Sequence, residues 1–299
     1  MEHQDNADKE TVFPFEFAKK ILRKLKEKNV VCTTYSSLLK ESSWGSRFRY
    51  LDEFISVYGK GFGISGPFRS MVGLYLARSK SRLGKSKSFM NSFSQKNGET
   101  TVLLQHDADL FPERTLQMMA LEQEHGLLSS SYFFRVHADL VKYELDINSM
   151  KQFESQGFEI GYHQNAYERS GYRLDKAMEL VREDVHFFAE KFNLRSFVPH
   201  GGTPGPDGKN NRMLPHSGPL KQLLWAYNGN CMLKHYSWSD GGILKNCPCN
   251  PLDFIDQIMP GTRAMILMHP QYYGQNLRSD WKKLPISKCE WWKKLWGIS

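Results

Sequence analysis

The sequence has no run of about 18 or more apolar residues, the length that a membrane-spanning helix needs. Its start, MEHQDNADKE, is polar and acidic, and it lacks the basic and then apolar layout of a secretion signal. Both absences favour a cytoplasmic protein. With 24% charged and 40% hydrophobic residues, the 299-residue chain is not expected to be disordered, and it is long enough for one large domain or two small ones.

Cysteine is scarce and irregularly spaced. The chain has five: Cys32, Cys231, Cys247, Cys249 and Cys289. An odd number at uneven spacing does not indicate a disulfide framework. The Cys-Pro-Cys segment at 247–249 has no second cysteine pair that would complete a thiolate metal site, so we interpret all five as ordinary cysteines.

The net charge of +8 comes largely from three clusters, at 19–28, 77–88 and 280–299. No nucleic-acid-binding motif accompanies them, so no specific nucleic acid is expected. Such clusters attract anions in general, including anionic lipids and phosphorylated glycan carriers, or they form solvated surfaces.

The C-terminal segment 276–299 combines tryptophan with lysine, in DWKKLPISKCEWWKKLWGIS. Tryptophan prefers the membrane interface, and lysine is attracted to anionic headgroups. We therefore predict peripheral contact with the inner membrane leaflet. The alternative is that this segment docks on the rest of the protein.

From residue 100 onward, apolar strands alternate with helices. Strands are predicted at 101–105, 128–136, 158–163, 195–200, 223–227, 241–245 and 264–269, and helices at 112–126, 146–157 and 173–192. Such alternation implies parallel strands joined by crossover helices. We expect an α/β fold, a distorted (β/α) barrel of about seven strands over residues 100–275. Residues 1–99 are expected to form a helical, basic region that packs partly on the barrel and ends in a mobile linker.

Four predicted strands end in residues that bind metals or transfer protons: HDAD, GYH, PHGG and MHP. In parallel barrels the carboxyl ends of the strands share one face, where active sites are built. The residues expected to converge there are His106, Asp107, Asp109, His163, His200 and His269. Side chains alternate along a strand, so Asp107 and Asp109 are expected on one side and His106 on the other. Any one of these histidines, taken alone, is also compatible with a structural role.

A mixture of histidine and aspartate suits Zn²⁺ or another first-row divalent ion. A further carboxylate and a further histidine on the same face can transfer protons. A metal-bound water, a carboxylate base and a histidine acid are together typical of a hydrolase.

These motifs make the chain recognisable. The segment HDADLFPERTLQMMALEQEHGLLSSSYFF, followed by SQGFEIGYH, resembles the polysaccharide deacetylase family, carbohydrate esterases with a distorted (β/α) barrel. Three features resemble more closely a branch associated with bacterial surface-polysaccharide synthesis: the HDxD motif, the loop PHGGTPGPDGKNNR and the HPQ of MILMHPQYYG. The likeness covers about residues 100–275 and is weaker at 14–40. It implies a deacetylase-like barrel and hydrolysis of an acetylated sugar.

The family mechanism, carried over residue by residue, implies that Asp107 is the base, Asp109 a metal ligand and His269 the acid that protonates the leaving group. His163 matches the first of two motif histidines four positions apart, but Tyr167 stands at the second position. The family's base-orienting arginine is absent from the matching strand, SFVPHGG, where His200 is the predicted third ligand. His106, Asn165 and Glu168 are the alternatives for that ligand.

Residues expected to contact the sugar follow the late strands. The loop 201–212 carries Asn211 and Arg212, which can hydrogen-bond hydroxyls or a carboxylate, because loops after site strands usually contact substrate. Aromatic side chains near the late strand ends can stack on a sugar ring or pack in the core. The predicted substrate-binding set is His106, Asn211, Arg212, Trp238, Gln271 and Tyr272.

The leading interpretation is a metal-dependent deacetylase-like hydrolase with Zn²⁺, acting on a carbohydrate, including a lipid-linked one, in glycan biosynthesis. A second interpretation is a catalytically degenerate glycan-binding or scaffold domain on the same barrel. A third is amide hydrolysis on a substrate that is not a sugar.

Overall fold

A computed structural model describes residues 13–37, 99–136, 143–201, 205–226, 236–241, 250–258 and 260–274. The linker predicted to precede residue 99 and the tryptophan- and lysine-rich C-terminal segment lie outside the described residues, and so do the predictions made for them.

Ten strands and six α-helices are described. The strands are β1 (Phe13–Pro14), β2 (Val31–Thr33), β3 (Thr101–Ala108), β4 (Ser131–Phe134), β5 (Glu159–Gln164), β6 (Ser196–Pro199), β7 (Leu224–Trp225), β8 (Tyr236–Ser239), β9 (Arg263–Met268) and β10 (Tyr273–Gly274). The helices are α1 (Phe15–Glu27), α2 (Pro112–Glu124), α3 (Ile147–Gln156), α4 (Ala166–Arg169), α5 (Leu174–Ala189) and α6 (Pro251–Asp256). Short 3-10 helices span Pro206–Gly208, Asn211–Met213, Gly218–Gln222 and Pro270–Tyr272. Among the described residues, no helix has both the length and the apolar character required to cross a membrane.

The main sheet is parallel throughout. Seven strands follow the order β7-β6-β5-β4-β3-β9-β8, and β2 pairs with the first half of β3. The sheet curls into a half-barrel, which confirms the predicted parallel, barrel-like α/β architecture. The carboxyl ends of these strands therefore lie at one edge, where parallel sheets build their sites.

Strand β3 is buried along its whole length, as expected for a parallel strand covered on both faces. Its residues alternate between two apolar clusters. Val102 and Leu104 belong to the large cluster under the helices, whereas Leu103 belongs to a smaller cluster inside the curl of the sheet. This alternation decides which side chains at the end of β3 can reach a site inside the curl.

The N-terminal region contributes one strand to this sheet and one to a separate two-stranded sheet. β2 pairs with β3, and β1 pairs with β10. Helix α1 buries Ala18, Ile21, Leu22 and Leu25 on one face, the spacing of an amphipathic helix. On its exposed side, Lys24 Nζ lies 2.8 Å from Asp256 Oδ1 of α6.

The strand predicted near 241–245 lies outside the described residues apart from Gly241, whereas β8, at Tyr236–Ser239, was not predicted. The strand ends before Asp240, whose carboxylate accepts hydrogen bonds from the main-chain nitrogens of Gly241 and His269.

Candidate metal centre

Three predicted ligands meet at the carboxyl edge of the sheet. Asp109 follows β3, His163 lies near the end of β5, and His200 follows β6. One ligand atom from each lies within 4.8 Å of the other two. A carboxylate and two imidazoles at this separation can hold a divalent metal ion, and the donor set suits zinc.

His163 is held in the orientation that a metal ligand needs. Its Nδ1 lies 3.1 Å from the carbonyl oxygen of Val198, to which it donates, and its Nε2 lies 2.8 Å from Asp109 Oδ1. A hydrogen bond from one ring nitrogen to a carbonyl leaves the other nitrogen facing the site, as in many metal-binding histidines.

His200 has a comparable partner on its outer side. Its Nδ1 lies 2.8 Å from Glu168 Oε2, and its Nε2 lies 3.5 Å from Asp109 Oδ1. Burial lowers the pKa of His200 below its ordinary value, although Glu168 opposes the shift, so the ring is neutral at neutral pH. Metals bind the neutral ring, and a carboxylate behind a ligating histidine fixes its orientation.

Asn211 holds Glu168 in place. The Asn211 Oδ1 accepts from the Glu168 main-chain nitrogen at 3.0 Å, and its Nδ2 donates to Glu168 Oε2 at 3.2 Å and to the His200 carbonyl at 3.3 Å. Glu168, one alternative for the third ligand, therefore supports His200 from behind. Asn211 is buried, and both the oxygen and the nitrogen of its amide make these hydrogen bonds. The structure therefore gives it a positioning role instead of the predicted substrate contact.

Asp109 is the centre of the cluster. Arg135 Nη2 lies 2.5 Å from its Oδ1, and Gln271 Nε2 lies 3.1 Å from its Oδ2. Burial favours the protonated acid, but the charge of Arg135 and the hydrogen bond from His163 outweigh it and hold the pKa of Asp109 well below its usual range. Asp109 is thus the carboxylate anion that metal binding requires.

Asp107, the predicted base, is fixed by a buried chain of hydrogen bonds. The hydroxyl of Tyr35 donates to Gln105 Oε1 at 2.7 Å, and Gln105 Nε2 donates to Asp107 Oδ1 at 2.8 Å. The amide of Gln105 accepts through its oxygen and donates through its nitrogen, so it links the two groups. Asp107 is therefore held as an acceptor on the same side of β3 as Asp109.

His269, the predicted acid, is paired with a buried carboxylate. Its Nδ1 lies 2.5 Å from Asp240 Oδ1, and its Nε2 lies 3.9 Å from Asp109 Oδ2. Burial lowers the pKa of His269, but the charges of Asp240, Asp109 and Asp107 outweigh burial and raise it to about 9. The ring is therefore protonated at neutral pH and can donate a proton.

Two predicted substrate contacts are not brought to this cluster. His106 is 0% exposed and lies on the helix side of β3, where its ring stacks on Tyr132 and its Nε2 lies 2.6 Å from Glu122 Oε1. Trp238 is 4% exposed and belongs to the apolar cluster under the helices. Side-chain alternation places both on the far face of the sheet, so their predicted contact with substrate is corrected to core packing.

The other predicted contacts lie nearer. The ring of Tyr272 is 5.2 Å from that of His269, and Gln271 touches Asp109 directly. The guanidinium of Arg212 lies beside Gly201, the residue that follows His200. Its Nη2 is 3.4 Å from the point where a side chain at Gly201 would begin.

Sequence reasoning missed Arg135, Asp240 and Gln105. Arg135 directly follows β4, so the strand-end rule that selected the histidines applies to it equally. Asp240 follows β8, a strand that was not predicted at 236–239, and Gln105 lies inside a strand that reads as core.

No family model, curated protein or solved structure matches the chain. The site is therefore interpreted from its geometry.

Proposed function

We propose that this protein is a metal-dependent, deacetylase-like hydrolase that acts on an acetylated sugar in glycan biosynthesis. The observation that carries the proposal is the approach of Asp109, His163 and His200 within 4.8 Å, next to a carboxylate and a protonated histidine. The resemblance of the sequence motifs to polysaccharide deacetylases supports the choice of an acetylated sugar.

The chain's own residues divide the acid–base work. Zn²⁺ held by Asp109, His163 and His200 would supply Lewis-acid polarisation of the acyl carbonyl. Asp107, fixed by Gln105, takes the proton of the attacking water. His269 gives its proton to the departing amine or alcohol, and Asp240 stabilises the charged ring that precedes this transfer.

Elemental analysis joined to an acetate-release assay tests this function. We expect one zinc per chain and acetate release from at least one member of a panel of N- and O-acetylated sugars. Asp107→Asn should keep the metal and lose turnover, because the amide cannot accept a proton. A wild-type protein that binds no divalent metal would refute the proposal, and release only from acetylated amides that are not sugars would reassign the substrate class.

A glycan-binding domain without catalysis is the second candidate. Arg135 occupies an oxygen of the central ligand, and Tyr167 stands where the family motif carries a second histidine. This candidate predicts sugar binding that is unaffected by chelators and by Asp109→Asn. The hydrolase predicts that both treatments abolish acetate release.

A further inference from the structure

Three side-chain nitrogens surround Asp109 Oδ1. Arg135 Nη2, His163 Nε2 and His200 Nε2 lie 2.5, 2.8 and 3.5 Å from this one oxygen. Arg135 donates to this oxygen, whereas the neutral His200 ring directs its Nδ1 proton at Glu168 and presents the lone pair of Nε2. The guanidinium therefore holds the oxygen that a metal ion would have to take.

The three nitrogens differ in what they can do next. His163 and His200 can turn a lone pair toward a metal ion and become ligands. Arg135 cannot, because its guanidinium has no lone pair and stays protonated. A fixed positive charge beside a divalent cation is repelled by it, and most strongly where water is excluded.

Arg135 also has little access to water. It is 8% exposed, and within the described part of the chain its Nε has no hydrogen-bond partner. A buried cation that loses its carboxylate partner is costly unless another anion replaces it. The loaded site thus leaves one guanidinium that requires an anion.

The sheet register shows where that anion would lie. Strand β4 runs between β3 and β5, with Phe134 opposite Ala108 on one side and Tyr162 on the other. The residues that follow these three in the chain are Arg135 and Asp109, each directly after its strand, and His163 of β5, so the three lie side by side at the edge of the sheet. Arg135 therefore faces the same space as two of the candidate metal ligands.

We propose that Arg135 is an oxyanion-binding residue of the metal-loaded site. It leaves Asp109 when metal binds and takes an oxygen anion next to the ion, either the oxyanion that develops on the acyl carbon or the carboxylate of released acetate. The inference rests on the proposed metal site and goes beyond it, because it assigns a second cation to the reacting acyl group.

Calorimetric zinc binding to metal-stripped protein, with and without acetate at constant ionic strength, tests the proposal. In wild type we expect acetate to tighten zinc binding by about fivefold or more, the lower end of ordinary coupling between two ligands. Arg135→Met should bind zinc more tightly than wild type when acetate is absent, because the competing cation is gone. Its acetate effect should fall well below that of wild type, leaving only what the metal itself contributes.

Arg195→Met is the matched control, because Arg195 is exposed at the opposite end of β6, and it should behave as wild type. Arg135→Gln, neutral but polar, replaces Arg135→Met if thermal unfolding shows that the methionine variant is not folded. Equal acetate effects in wild type and the neutral variants would overturn the proposal, as would weaker zinc binding in those variants. If wild type binds zinc but acetate has no effect, the role of Arg135 is refuted and the proposed metal site stands. If neither wild type nor any variant binds zinc, the proposed function is refuted as well.

Discussion

Replacing Asp240 with asparagine is expected to remove a pH-dependent part of the protein's stability. Asp240 is fully buried, and its two carboxylate oxygens contact the Nδ1 and the main-chain nitrogen of His269 at 2.5 and 2.6 Å. Asparagine keeps the shape and one acceptor oxygen but loses the negative charge. Without that charge, burial lowers the pKa of His269 and only the more distant carboxylates, Asp109 and Asp107, oppose this shift.

The magnitude follows from the raised pKa of His269. A rise from the ordinary 6.5 to about 9 corresponds to about 3 kcal/mol of free energy of unfolding. Because the pKa is higher in the folded protein than in the unfolded chain, this stabilisation is fully present below pH 6.5 and is lost as the pH rises through about 9. The side chain of His269 is 15% exposed, so solvent screening does not remove the effect.

Denaturant unfolding of the metal-free protein between pH 6 and pH 9.5 measures it. Wild type should exceed Asp240→Asn in free energy of unfolding at pH 6, and this difference should shrink by about 3 kcal/mol as the pH rises to 9.5. Glu190→Gln is the control, because it removes the carboxylate from an exposed histidine pair, His186 with Glu190, and should leave the pH profile unchanged. Parallel profiles for wild type and Asp240→Asn would refute the assignment of the raised pKa to Asp240.

Three further predictions concern the ligands, the base and the C-terminal segment. His200→Ala should lose bound zinc, measured by elemental analysis, and full occupancy in this variant would mean that another residue is the third ligand. Glu168→Gln should weaken zinc binding about 10- to 100-fold, because it changes the residue that orients His200. Asp107→Asn should lower turnover roughly 10²–10⁴-fold with the metal retained, and undiminished acetate release would rule out its role as base. A chain ending at Leu284 should lose salt-sensitive co-sedimentation with anionic vesicles, whereas a truncation that only lowers thermal stability would favour docking of the segment on the protein.

Local chemistry made much of the fold predictable. Helix α3 was predicted at 146–157 and spans Ile147–Gln156, because Asp146 accepts from the Ser149 main-chain nitrogen at its start and Gly157 takes a left-handed conformation, φ 118°, at its end. Strand β3 was predicted from its apolar run. The role of Asp240 was not predictable in this way, because it depends on a pairing with His269, a partner far along the chain.

The part of the candidate site that lies at strand ends was predictable from the sequence. The rule that parallel strands end at one edge selected Asp109, His163 and His200, which the structure brings together. The same rule does not tell which of these residues are candidate ligands and which hold the ligands in place, because it does not say which way each side chain points. Alternation had already placed His106 opposite Asp107, and the structure follows alternation instead of the substrate contact predicted for His106.

Alternation also explains why one buried strand can end in ionising residues. Even-numbered positions of β3 face the helices, where Val102 and Leu104 pack, so the helix layer stays apolar up to His106. Odd-numbered positions face the inside of the curl, where Leu103 packs first, Gln105 then bonds to Tyr35, and Asp107 and Asp109 follow toward the edge. Polarity thus increases along a single face, in step with the approach to the open edge. A shift of register by one residue would place both aspartates under the helices and remove them from the candidate metal centre.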